Sequence, residues 1–355
     1  MEYVYRFPAV KGVQAGRDYY IAMVPLRMLK KLFGNDEEYV LPEYRAQRKL
    51  NETRIPEIRN YIINNRDNYV FSALAASIDG EFAFLPLEDN QLGVLQVSMD
   101  ATFLINDGQH RKAAILSALD EDISLANESI PIVFFEDLGL ARSQQMFTDL
   151  NKHAVKTSNS IAELYDSRDQ LAVVTRRTIA RIPFLNEYVD KEKDNLGKFS
   201  SSLFTLNTFY NANKKILGRG VCSDSFEKFI LDFWSMVTNN MVPWSELVEK
   251  EISKRELKDQ YIATQAVVIQ ALGRVGAYII DNRDYLEEEH LKHMRDINWK
   301  RSSDVWKQRV IRSDGRMINN TKAIILTANV IKEKLGIPLS QDEQHTEEAF
   351  LREYK

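Results

Sequence analysis

The chain predicts an α+β protein, with a mixed strand-and-helix N-terminal half followed by a mostly helical C-terminal half. Up to about residue 156, short apolar runs alternate with Gly, Pro and Asp-Gly punctuation, the pattern of strands with helices inserted between them. Beyond Thr157 the runs lengthen and apolar residues recur at helical spacing. At 355 residues, 44% of them hydrophobic, the chain can bury two cores. We therefore place an N-terminal domain at 1–156 and a helical domain at 157–355.

Residues 1–13 and 19–24 read as strands, the second bounded by Gly16 and Pro25. Pro25 suits the start of a short helix through Leu26, Leu29, Leu32 and Phe33, stopped by Gly34-Asn35. A polar connection with Arg45, Arg48 and Lys49 follows, and Asn51 is placed to cap a helix whose face is Ile55, Ile58, Ile62 and Ile63. The first half of residues 70–78 reads as a buried strand, and Asp79-Gly80 as a hairpin turn into 82–85. Residues 93–99, a run from Phe103 and residues 130–135 complete the strands.

In the second half, Ser158-Asn159-Ser160 offers a cap, and helices are expected over 161–181, 223–238, 245–248 and 254–280. Gly273 and Gly276 interrupt the last of these without proline, which points to close helix packing. The charged segment 341–355 is a loose tail or a terminal helix.

The stretch that organises the rest is residues 103–115. Apolar residues end a strand, Asn106-Asp107-Gly108 is turn chemistry, and Ala113 to Leu119 is helical. A strand, a glycine corner and a helix start leave unpaired amides that attract anions, phosphates above all. Arg111 supplies a positive fork beside them, and Asp107 and His110 are candidate proton carriers. The plain alternative is a common Asp-Gly turn with His110 filling a surface gap.

Net charge is −4, from 47 basic and 51 acidic residues, so nucleic-acid contact requires a local patch. The single cysteine, Cys222, makes no internal disulfide, and no cysteine cluster offers a metal site. No long apolar run exists for membrane spanning or secretion, so a cytoplasmic protein is expected.

Asp107-Gly108-Gln109-His110-Arg111 resembles the pentapeptide of the DGQHR-domain proteins, and the chain as a whole resembles the DndB family. Agreeing stretches are Arg48-Lys49-Leu50-Asn51, Asn151-Lys152-His153 with Lys156, and Asn298-Trp299 with Trp306-Lys307-Gln308-Arg309. The resemblance implies a regulator of DNA phosphorothioation and a ParB- or sulfiredoxin-like N-terminal fold. By that likeness Asp107, Gly108, Gln109, His110 and Arg111 receive ATP or another nucleoside triphosphate. Arg48 is a further nucleotide-binding candidate, Asn151, Lys152 and Lys156 would close over the nucleotide, and magnesium would need Asp107 with Glu136 or Asp149.

For DNA, residues 290–316 hold a basic excess, with Lys300, Arg301, Lys307, Arg309 and Arg312 as the contacts expected. Trp299 and Trp306 are more simply core than base-stacking platforms. Lys214 and Lys215, with Arg219 beside Gly218 and Gly220, suggest a second phosphate-contacting loop. Three functions follow. One is a repressor of the phosphorothioation operon, with duplex operator DNA and other phosphorothioation proteins as partners and nucleotide as effector. It would work as a homo-oligomer if the operator is symmetric. The second is an ATP-hydrolysing or DNA-nicking enzyme using Asp107 or His110 as base. The third is a scaffold.

Overall fold

The structure, a computed structural model, describes residues 3–33, 54–87, 91–136, 146, 150, 158–197 and 199–354. The chain forms two compact units, 1–155 and 156–355.

Seven strands build the first unit: β1 (Val4–Gln14), β2 (Arg17–Pro25), β3 (Leu74–Asp79), β4 (Phe82–Pro86), β5 (Leu92–Ser98), β6 (Thr102–Asp107) and β7 (Ser129–Glu136). Their order is β4-β5-β1-β2-β7-β3-β6, with β3 and β7 parallel and the other pairs antiparallel. Asp79-Gly80 is therefore not a hairpin, because β3 pairs with β6 and β7 while β4 pairs with β5. In a flat sheet β3 and β4 would stand roughly 24 Å apart, at about 4.8 Å per strand. Two linking residues span only about 11 Å. The sheet must curl until its edges approach. Gly80 sits opposite Ala101 where the β3–β6 pairing ends, and a Cβ there would lie 2.8 Å from that of Ala101.

The curl encloses a core in which Phe134 packs against Phe7 and Phe103 at centroid distances of 6.1 and 5.8 Å. Helices α1 (Leu29–Leu32), α2 (Arg54–Asn64) and α3 (Gln109–Glu121) complete the unit. Ile62 of α2 and Ala114, Ile115 and Ala118 of α3 are buried. The strand expected early in 70–78 begins instead at Leu74, and Val70 is 76% exposed. Its physical reason is that Arg111 takes the carbonyls of Ser72 and Ala73, which a neighbouring strand would otherwise use.

The second unit is helical: α4 (Asn159–Tyr165), α5 (Gln170–Arg181), α6 (Pro183–Tyr188), α7 (Leu206–Leu217), α8 (Asp224–Asn240), α9 (Val242–Val248), α10 (Lys254–Gln260), α11 (Ala266–Ile279), α12 (Glu288–Leu291), α13 (Thr321–Lys334) and α14 (Gln341–Tyr354). The helix expected over 161–181 is two, because Asp169 turns its carboxylate onto the Leu171 and Ala172 amides and starts α5. The one expected over 254–280 is also two. Between them the Ile262 amide donates to the Trp299 carbonyl rather than into a helix.

Gly273 and Gly276 do mark close packing. A Cβ at Gly273 would sit 2.7 Å from the Ala212 carbonyl oxygen, and one at Gly276 2.8 Å from Ile216. The core gathers Trp234, Trp244, Trp306, Phe229 and Phe233, all fully buried. Each such side chain contributes about 1.5–3 kcal/mol by leaving water. Among the described residues no helix is long and apolar enough to cross a membrane.

Candidate functional site

The corner at Gly108 is built by β6 and α3. Strand β6 runs through Asn106 and Asp107, which were expected in the turn; Asp107 still pairs with Ala75. Gly108 alone makes the turn, at φ +99° and ψ +17°, and α3 starts at Gln109. That conformation favours glycine, and space demands it too, since a Cβ would meet Leu74 Cδ2 at 2.3 Å. Gln109, His110 and Arg111 thus form the first helical turn.

Arg111 is the tie of this corner. Its Nη1 donates to the Ser72 and Ala73 carbonyls at 2.8 and 2.9 Å and to the Ser72 hydroxyl, and its Nη2 to Asp107 Oδ2 at 2.6 Å. The expected open fork is filled by the chain's own oxygens. A phosphate could take Arg111 only by replacing the Asp107 carboxylate, whose side chain is 43% exposed against 18% for Arg111. Burial, and then nearby Arg54, push His110 below its ordinary range, so near neutral pH its ring is mostly uncharged. Gln109 reaches back to the Ile105 carbonyl at 3.4 Å.

Asn106, wholly buried, donates to Ser77 Oγ at 2.7 Å. Asp107 and Glu136 do not meet. Asp107 pairs with Ala75 and Glu136 with Ile78, at opposite ends of β3 and on its two sides, so one magnesium ion does not bridge them. Arg48, Asp149, Asn151, Lys152 and Lys156, with the cap expected at Asn51, lie outside the described residues.

The basic segment is a compact knot of turns. Trp299 and Trp306 are 2% and 0% exposed and stack at 5.7 Å, and the Trp306 indole donates to the Asn298 carbonyl at 2.7 Å. Both are core. Backbone bridges set Lys307 beside Ile311, and the Arg312 amide donates to the Arg316 carbonyl at 2.9 Å. Lys300, Lys307, Arg312 and Arg316 are exposed, with Lys307 paired to Asp304 at 2.6 Å.

Two residues depart from the exposed set expected. Arg309 is 11% exposed, grips both oxygens of Glu347 and lies 4.4 Å from the Phe350 ring centre. Arg301 is half-buried against the Tyr261 and Lys258 carbonyls, and burial pushes its guanidinium below its ordinary range. Lys214 and Lys215 are exposed, in the last turn of α7 rather than in a loop.

The model of the DndB family, described as DNA-sulfur modification-associated, matches residues 7–338. The chain belongs to the DndB family. No curated protein and no solved structure matches it. Within this DndB chain, the partners that fix the corner and the basic knot escaped the sequence. Ser72 and Glu347 lie 39 and 38 residues from the arginines they hold, and only contacts made by the folded chain reveal them.

Proposed function

We propose that this DndB family member is a DNA-binding regulator, a repressor of the operon encoding its DNA sulfur modification system, with nucleotide at the Gly108 corner adjusting its grip on DNA. The observation that carries the DNA part is the exposed set Lys300, Lys307 and Arg312 on a knot braced by two stacked, buried tryptophans. Such a frame fixes the backbone that carries these cations, so that contact with phosphate orders mainly their side chains. Lys214 and Lys215 are a further basic element.

The nucleotide part rests on the left-handed Gly108 and the helix start behind it. ATP phosphate would exchange with Asp107 on Arg111, loosening the tie to Ser72 and Ala73 and biasing one arrangement of the corner over another. Family membership supports the setting in DNA sulfur modification. The deciding experiment titrates operator DNA with the full chain across a salt series, with and without ATP. A steep loss of affinity with salt and an ATP-dependent displacement are expected. Binding that ignores both salt and ATP overturns the proposal.

A further inference from the structure

A cavity of about 470 Å³ opens in the helical unit, lined by residues of α7, α11, α13 and α14. Its charged residues are Lys215, Arg274, Lys332 and Glu343. Glu343 is 2% exposed and fully used: both its oxygens accept from the Lys332 ammonium, at 2.9 and 2.7 Å, Arg274 Nη2 adds 3.0 Å, and the Ser340 amide 3.0 Å. Burial alone would raise this carboxyl. Lys332, the Ser340 amide and Arg274 outweigh it and hold Glu343 down to about 2.

One carboxylate therefore stands against three cations, and two positive charges are uncompensated at the cavity. Arg274 Nε is buried without a hydrogen-bond partner among the described residues. An orphan guanidinium N–H beside surplus positive charge is costly, by about 1–3 kcal/mol for the unmade bond alone. Lys215 feels the same surplus, its ammonium pushed down by partial desolvation and then by Arg274 and Lys214. Around these cations the cavity wall is apolar, supplied by Ala277, Ile324 and Ile325 with the Tyr278 ring.

We infer that this cavity binds a doubly charged tetrahedral oxyanion, and that its natural form is a small phosphomonoester. A phosphomonoester carries close to two negative charges near neutral pH, matching the surplus. Its oxygens accept from Arg274 and Lys215, while its organic body lies on the apolar wall. The volume falls in the ordinary range of small-molecule sites. This site is separate from the Gly108 corner and does not rest on the function proposed above.

The test is calorimetry on the full chain at slightly alkaline pH and constant ionic strength, with AMP, inorganic phosphate and chloride as separate titrants. AMP and inorganic phosphate are expected to bind with Kd of about 1 mM or tighter, and chloride not to bind. Tighter AMP identifies the organic body as part of the ligand, and equal affinities identify the free oxyanion. Lys215→Gln, on the exposed lip, should weaken both by about tenfold while leaving the melting temperature of the unliganded protein in place. Arg274→Gln should abolish binding but also strips Glu343 of a partner, so Lys215→Gln decides. Failure of both oxyanions to bind, or binding that Lys215→Gln leaves intact, overturns the site.

Discussion

Arg111 holds Asp107 across the Gly108 corner, Nη2 to Oδ2 at 2.6 Å, and with the same guanidinium clasps the backbone at Ser72 and Ala73. The most distinctive charged pair of the chain is thus a brace for its own corner. If nucleotide enters by exchange, Asp107 is its competitor. Asp107→Asn removes that competing charge and should tighten ATP binding by about tenfold, the equivalent of about 1.4 kcal/mol. Isothermal titration of the two proteins with ATP checks this; unchanged or weaker binding in the variant excludes the exchange.

Arg309 and Lys307 stand two residues apart and should behave differently. Losing Arg309 leaves Glu347, on α14 and partly buried, without its bidentate partner. Arg309→Ala should cost about 2–3 kcal/mol of stability, seen as a lowered urea midpoint. Exposed Lys307 gives a surface pair worth little. Changing Lys300, Lys307 and Arg312 together to Ala should leave the midpoint nearly in place and flatten the salt dependence of DNA binding by about 2–3 in log–log slope. A triple variant whose slope matches the parent removes this segment from the DNA contact.

Gly108 carries two separate demands, a positive φ and no room beside Leu74. Gly108→Ala should therefore destabilise the first unit by about 1–3 kcal/mol. Leu74 is itself fully buried and has little room to retreat. Urea unfolding followed by circular dichroism reads the cost, and a neutral substitution would show that the corner relaxes freely.

The α+β class and most elements were legible because periodicity and turn residues are local. The run from Phe103 and the glycine corner are examples, and Gly273 against Ala212 shows a packing inference made from composition alone. What stayed hidden was set by distant partners. Sheet order sets four strands between β3 and β4 although only two residues link them, and no local pattern in the sequence announces that. The basic cluster looked uniform because exposure is not written in an arginine. Glu347 removes Arg309 from the surface, while Arg312 stays exposed.

The last consequence concerns acid and base. Glu163, on α4, has a buried oxygen with no hydrogen-bond partner among the described residues. Burial, then the negative charges of Asp194 and Asp169, push its carboxyl up to about 8. Asp169 is itself held in place by the Tyr210 hydroxyl at 2.6 Å, so it does not swing away to relieve the repulsion. Between the ordinary carboxylate range and about pH 8, folded Glu163 keeps a proton that the unfolded chain has released. Its contribution to stability is therefore complete below the ordinary carboxylate range and is lost progressively as pH rises through that window to about 8. Glu163→Gln keeps the shape and cannot ionise, so its stability should fall less over the same range. Urea midpoints measured from about pH 5 to about pH 9 for both proteins separate the two cases. Parallel curves would mean that Glu163 is ionised in the native fold, with its charge met by a contact that the buried oxygen lacks here.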